Sequence, residues 1–103
     1  MKTVGEVRRT VIARDRGCIA SVFPDAGPCY DRWGSLLSDA ATPDQLEMDY
    51  IRLGAQGKHH ELESDHVAMC PGHHRSTGPQ GGKQWATSHR AELREYLDRL
   101  YPR

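Results

Sequence analysis

The chain has 103 residues, a formal net charge of +0 and a hydrophobic fraction of 37%. At this length one domain with a thin apolar core is expected, burying about 60–70% of the unfolded chain's surface. Balanced charge argues against a simple polybasic nucleic-acid binder, whose affinity grows with the Lys and Arg it sets on phosphates.

The N-terminal MKTVGEVRRTVIARDRG has no apolar centre of the kind a secretory signal carries. No apolar run approaches the roughly 20 residues that span a bilayer. A cytoplasmic protein with reduced thiols and no membrane partner is therefore expected. Residues 3–16 predict a helix, because Val4, Val7, Val11 and Ile12 recur at helical spacing, and Gly17 stops it. Arg8, Arg9, Arg14 and Arg16 fall mostly on its other faces and read as a solvated surface. CIASVF, residues 18–23, predicts a short strand, and PDAGP, residues 24–28, is a turn that delivers the chain to Cys29.

Residues 31–45 show no periodicity and read as a loop with at most one helical turn. LEMDYI, residues 46–51, alternates apolar and polar side chains, the pattern of a half-buried strand. A polar loop, RLGAQGKHHELES, leads to HVAM, residues 66–69, a second strand antiparallel to the first. Pro71 suits the first turn of a short helix carrying His73 and His74. STGPQGGK, residues 76–83, is a breaker. The last helix is capped by Thr87 or Ser88, and Leu93, Tyr96, Leu97 and Leu100 form one apolar stripe. Trp33 and Trp85 are expected in the core, and His89 is expected to be structural or exposed. There is no internal repeat.

The chain holds 3 Cys and 6 His. An odd cysteine count leaves one thiol over from any disulfide framework, whereas a mixed Cys/His metal site uses all three. A polar chain with a thin core also benefits from a staple. Cys70 and His73 form a Cys-x-x-His unit, and a hairpin turning at residues 24–28 would bring Cys18 and Cys29 together. Four such ligands make a closed, tetrahedral structural zinc site; the alternative is three buried thiols and a surface imidazole. His74 is then free for another role. With Asp49 on one strand and His66 opening the next, one carboxylate and one or two imidazoles suit a divalent cation with open positions.

The run from Leu46 to His74, LEMDYIRLGAQGKHHELESDHVAMCPGHH, resembles the catalytic segment of the HNH endonucleases. With RDRGC at 14–18, CPGHH at 70–74 and WATSHRAELREYL at 85–97, nearly the whole chain resembles the small HNH proteins of actinobacterial phages. The resemblance implies an α+β chain with a small ββα-metal (HNH, His-Me finger) fold, flanking N- and C-terminal helices and a structural zinc site. It divides a single nuclease domain, 1–103, into an N-terminal helix (1–17), a zinc hairpin and loop (18–45), a ββα-metal core (46–84) and a C-terminal helix (85–103). It implies Asp49 and His74 as ligands of a catalytic divalent cation (Mg²⁺, Mn²⁺, Ni²⁺ or Zn²⁺). Cys18, Cys29, Cys70 and His73 match the ligands of a structural Zn²⁺.

Two positions depart from that family. His66 stands where the family usually has Asn, and can orient the base or join the metal. Tyr50 stands where the family has its general-base His, and a phenol is a weak base at neutral pH. Three readings stay open: Tyr50 is the base or a weak substitute, His59 or His60 supplies the imidazole, or the site binds DNA and metal without cutting well. Arg75, Lys58 and Lys83 are candidate contacts to the DNA backbone. The implied activity is hydrolysis of DNA phosphodiesters, with nicking or low specificity expected of so small a domain. The implied partners are DNA and, in the host cytoplasm, phage terminase or other packaging proteins. Two non-catalytic readings compete: a zinc-stapled binding module, and a degenerate HNH domain docked on a partner.

Overall fold

The computed structural model describes residues 3–37, 43–51, 63–75 and 85–102. Helix α1 spans Val4–Asp15. Its start is a capping box: Thr3 Oγ1 accepts from the Glu6 amide at 3.1 Å, and the Glu6 carboxylate reaches back to the Thr3 amide. Val7, Val11 and Asp15 form its buried face. The helix ends as Arg16 (φ 58°) and Gly17 (φ 99°) enter the left-handed region, and Gly17 accepts this conformation without strain.

The segment CIASVF is a one-turn 3₁₀ helix, Ile19–Val22, and not the expected strand. Ile19 and Ala20 are consecutive and both buried, which a two-faced strand with one wet side does not allow. The turn closes through Ser21 N to Cys18 O and Phe23 N to Ala20 O, and the Ser21 hydroxyl also donates to Cys18 O at 2.8 Å. Nor is the region after it a hairpin of two strands. Among the described residues of 18–45 the one bridge is Tyr30 to Leu36, around a turn in which Asp31 Oδ1 accepts from the amides of Trp33 and Ser35. That turn holds Trp33 out at 80% exposure, so the expected core position is wrong.

A second 3₁₀ turn, Pro43–Gln45, leads into strand β1, Glu47–Tyr50. It pairs antiparallel with β2, His66–Met69, in a register that sets Tyr50 opposite His66 and Asp49 opposite Val67. β2 is buried along its length, because α1 packs against it. Short helix α2, Pro71–Arg75, follows directly. The final helical region is two pieces, α3 at Trp85–Ser88 and α4 at Arg90–Leu100. The break falls at His89, so neither Thr87 nor Ser88 caps the long helix. The His89 ring stacks on Trp85 at 4.1 Å and is held by Trp85 O at 2.9 Å.

The core joins Val7 and Val11 of α1, Ile19, Leu46, Ile51, Val67 to Met69 of β2, and Leu93 and Leu97 of α4. The molecule is thus a small α+β arrangement of two antiparallel strands and several helices. No helix among the described residues is long and apolar enough to cross a membrane.

Two arginines close the far end of the strand pair. Arg94 of α4 donates to Ile51 O and Ser64 O, both at 2.8 Å, and to Asp65 Oδ1 at 3.0 Å. Arg14 of α1 donates to Glu63 O at 2.7 Å, to His66 O, and to both oxygens of buried Asp15. Asp15 in turn accepts from the Ala68 amide at 2.8 Å and the Tyr96 hydroxyl at 2.6 Å. The Ala68 donor therefore has a partner on the side of β2 away from β1.

Candidate metal centre and adjoining cleft

Cys18 follows α1, Cys29 follows the 24–28 turn, Cys70 follows β2 and His73 lies in α2. Their donor atoms all lie within 4.8 Å of one another. Nδ1 of His73 is 3.0 Å from Cys70 Sγ and 3.9 Å from the sulfurs of Cys18 and Cys29. A tetrahedral zinc with its usual bond lengths separates its ligands by roughly 3.5–3.8 Å, so the set fits such an ion without rebuilding the chain.

The surroundings favour the same use. His73 Nε2 donates to Ala26 O at 2.7 Å, which fixes the ring with Nδ1 facing the sulfurs. The Cys70 amide donates to Cys18 Sγ at 3.2 Å, a contact that stabilises a thiolate. Hydrogen bonds from Cys18 and Cys29 hold the Cys70 thiol far below its ordinary range. The same contacts to Cys29 and Cys70 raise Cys18, and Cys29 is pushed up to about 11. Burial works against a charged His73 ring, but hydrogen bonds to Cys18 and Cys70 outweigh it and lift the ring to about 10. A divalent cation at the centre of the set would draw all three sulfurs to the thiolate form and displace the hydrogen from the ring nitrogen facing them.

Gly72 explains the loop's approach. Its amide donates to Tyr30 O at 3.0 Å, and a Cβ on it would lie 2.9 Å from Tyr30 Cβ. Only glycine lets the Cys29 loop sit this close to α2. Phe23, Trp85 and His89 cover the centre, with the Trp85 ring 5.3 Å from that of His73.

His74 faces a different neighbourhood. Its Nε2 lies 3.5 Å from Asp49 Oδ1, and its Nδ1 lies 2.7 Å from Glu47 Oε1. Hydrogen bonding to Asp49, and then to Glu47, raises its pKa. Asp49 is 8% exposed, and its Oδ2 is buried with no hydrogen-bond partner among the described residues. Asp65 Oδ2 and Trp85 Nε1 are in the same state, but of these three residues Asp49 alone lines the cleft described next, where a ligand could meet it.

Asp49, Tyr50, His66 and His74 line one cleft of about 480 Å³, with Val4, Val7, Arg8 and Met48 forming its other walls. The rings of Tyr50 and His66 face each other at 5.3 Å. Asp49 and His74 make a pair of donors, whereas the Cys₃His set is the one group of three or more among the described residues.

The four sequence-predicted cleft residues thus come together, as do the four predicted zinc ligands. Arg75, the expected phosphate contact, is exposed at the surface with its guanidinium bound to both oxygens of Glu47. Lys58, Lys83, His59 and His60 lie outside the described residues. Sequence reasoning missed Glu47, although period two puts it on the same face of β1 as Asp49. No protein-family model, no curated protein and no solved structure matches the chain.

Proposed function

We propose that the protein is a metal-dependent DNA endonuclease of the HNH type, with β1, β2 and α2 as its ββα-metal core and the Cys₃His set as its structural zinc site. The observation that carries this reading is the buried Asp49 carboxylate, with Oδ1 3.5 Å from His74 and Oδ2 without a partner among the described residues, in a cleft that also holds Tyr50 and His66. Asp49 and His74 would hold the catalytic cation, which when bound polarises the scissile phosphate and stabilises the leaving 3′-oxygen. Tyr50 and His66 form the proton-accepting side. An imidazole is the better acceptor of the two at neutral pH, and the phenol lies against it. One of the pair takes a proton from water, the hydroxide oxygen bonds to phosphorus in line, and the bond to the 3′-oxygen breaks. Nicking or low-specificity cutting is the expected outcome.

Supercoiled-plasmid cleavage tests this with Mg²⁺, Mn²⁺ or Ni²⁺ against EDTA. Wild type should cut with at least one cation, and His74→Ala should not. Tyr50→Phe tests the base: lost cutting assigns the phenol, and retained cutting points to an imidazole, His66 or else His59 or His60. The presence of Tyr50 favours a second reading, a degenerate domain that binds DNA or docks on a packaging protein such as terminase. Wild type inert with every cation would establish that reading over the first.

A further inference from the structure

Glu47 has no part in the reaction described above, yet its carboxylate is tightly engaged. Oε1 lies 2.7 Å from His74 Nδ1 and accepts from Arg75 Nε at 2.9 Å, while Oε2 pairs with the other arm of the Arg75 guanidinium. A neutral imidazole has a single N–H, and a carboxylate only accepts. The two carboxylates beside His74 therefore compete for that hydrogen. Distance decides the contest: Glu47 is at 2.7 Å and Asp49 at 3.5 Å.

We propose that Glu47 is a positioning residue that fixes His74 as the Nδ1–H tautomer and turns the Nε2 lone pair toward Asp49. Arg75 supports it from the other side, holding the carboxylate so that it neither rotates nor leaves the ring. Because Arg75 follows His74 on α2, one short helix carries both the ring and the group that steadies its acceptor. Nε2 of His74 and the Asp49 carboxylate, whose Oδ1 lies 3.5 Å from that nitrogen and whose Oδ2 has no partner among the described residues, are then preset for one divalent cation. This last step rests on the reading of Asp49 and His74 as cation ligands. Carboxylate partners of this kind commonly change metal affinity by about 10–100-fold.

The test uses the full chain loaded with zinc at the Cys₃His set, labelled with ¹⁵N, at a pH where the His74 ring is neutral. Nitrogen shifts of His74 in wild type should show hydrogen on Nδ1. In Glu47→Ala they should show a mixture of tautomers, and in Glu47→Gln a shift of the same sign, since an amide can donate as well as accept. Mn²⁺ titrations should weaken by about 10–100-fold in Glu47→Ala, with circular dichroism and zinc content unchanged. An unaltered tautomer in both variants overturns the proposal. If wild type takes up no Mn²⁺ while the tautomer still responds to Glu47, the cation-ligand reading fails and the positioning role stands.

Discussion

At one end of the β1–β2 pair, two arginines grip backbone carbonyls and buried carboxylates; at the other, three sulfurs and an imidazole converge on one point. The arginine end is held by protein atoms, with Asp65 Oδ2 alone left without a partner among the described residues of that end. Arg94 meets Asp65 and Asp98, Arg14 meets Asp15, and both also donate to carbonyls, those of Ile51 and Ser64 for Arg94 and of Glu63 and His66 for Arg14. The sulfur end is a set of donors that would all serve as ligands only with a cation at their centre. The cleft lies between, with Tyr50 and His66 beside the arginines and His74 beside the sulfurs. Buried charge pairs thus position half of the cleft, and donors suited to a metal position the other half.

The largest expected effect is at the sulfur end. Chelation, or Cys70→Ser, should abolish zinc uptake and the cooperative thermal transition, since structural zinc in small domains supplies about 10–16 kcal/mol of folding free energy. Calorimetry with metal analysis checks this; a sharp transition in the zinc-free protein would refute it. Next comes Arg94→Met, which strands Asp65 in a buried site and should cost about 3–5 kcal/mol. Urea denaturation measures the loss, and zinc content should hold, which separates the two ends.

Smaller again is Gly72→Ala, which forces a methyl against Tyr30 and should cost about 1–3 kcal/mol while weakening zinc binding. Competition with a chromophoric chelator reads the second part. The smallest effect is Tyr96→Phe. Burial, and then the hydrogen bond to Asp15, push the Tyr96 phenol up to about 12 from its ordinary 10.0. A folded pKa above the unfolded one means stability is fully present below pH 10 and lost as pH rises to about 12. The variant should be less stable by about 1 kcal/mol below pH 10, and the gap should close across that window in stability curves. A constant gap would remove Tyr96 from the account.

What the sequence made legible follows from local rules. Alternation placed β1, Pro71 opened α2, and HVAM appeared as β2 because short-range patterns shape short elements. The Cys and His spacing showed the four donors, which only the folded chain could bring to within 4.8 Å. What stayed hidden was long-range. Arg14 sat among surface arginines in the sequence, and nothing local revealed that it would reach Glu63, His66 and Tyr101. Tyr96 looked like one more member of an apolar stripe, yet its hydroxyl meets Asp15. CIASVF misled because a consecutive apolar run fits a buried turn as well as a strand. Trp33 misled because an aromatic's usual burial yields to a tight Asp31 turn that points it outward.

His73 and His74 are neighbours on one short helix, and they serve two different groups of donors. An α-helix turns about 100° per residue. One residue inserted between them would swing the second imidazole away from Asp49, and one deleted would leave a single ring to choose between the two. The chain can therefore exchange many side chains near this point more easily than it can change its length there, and variation among related chains should show substitutions around the pair but no gap within it.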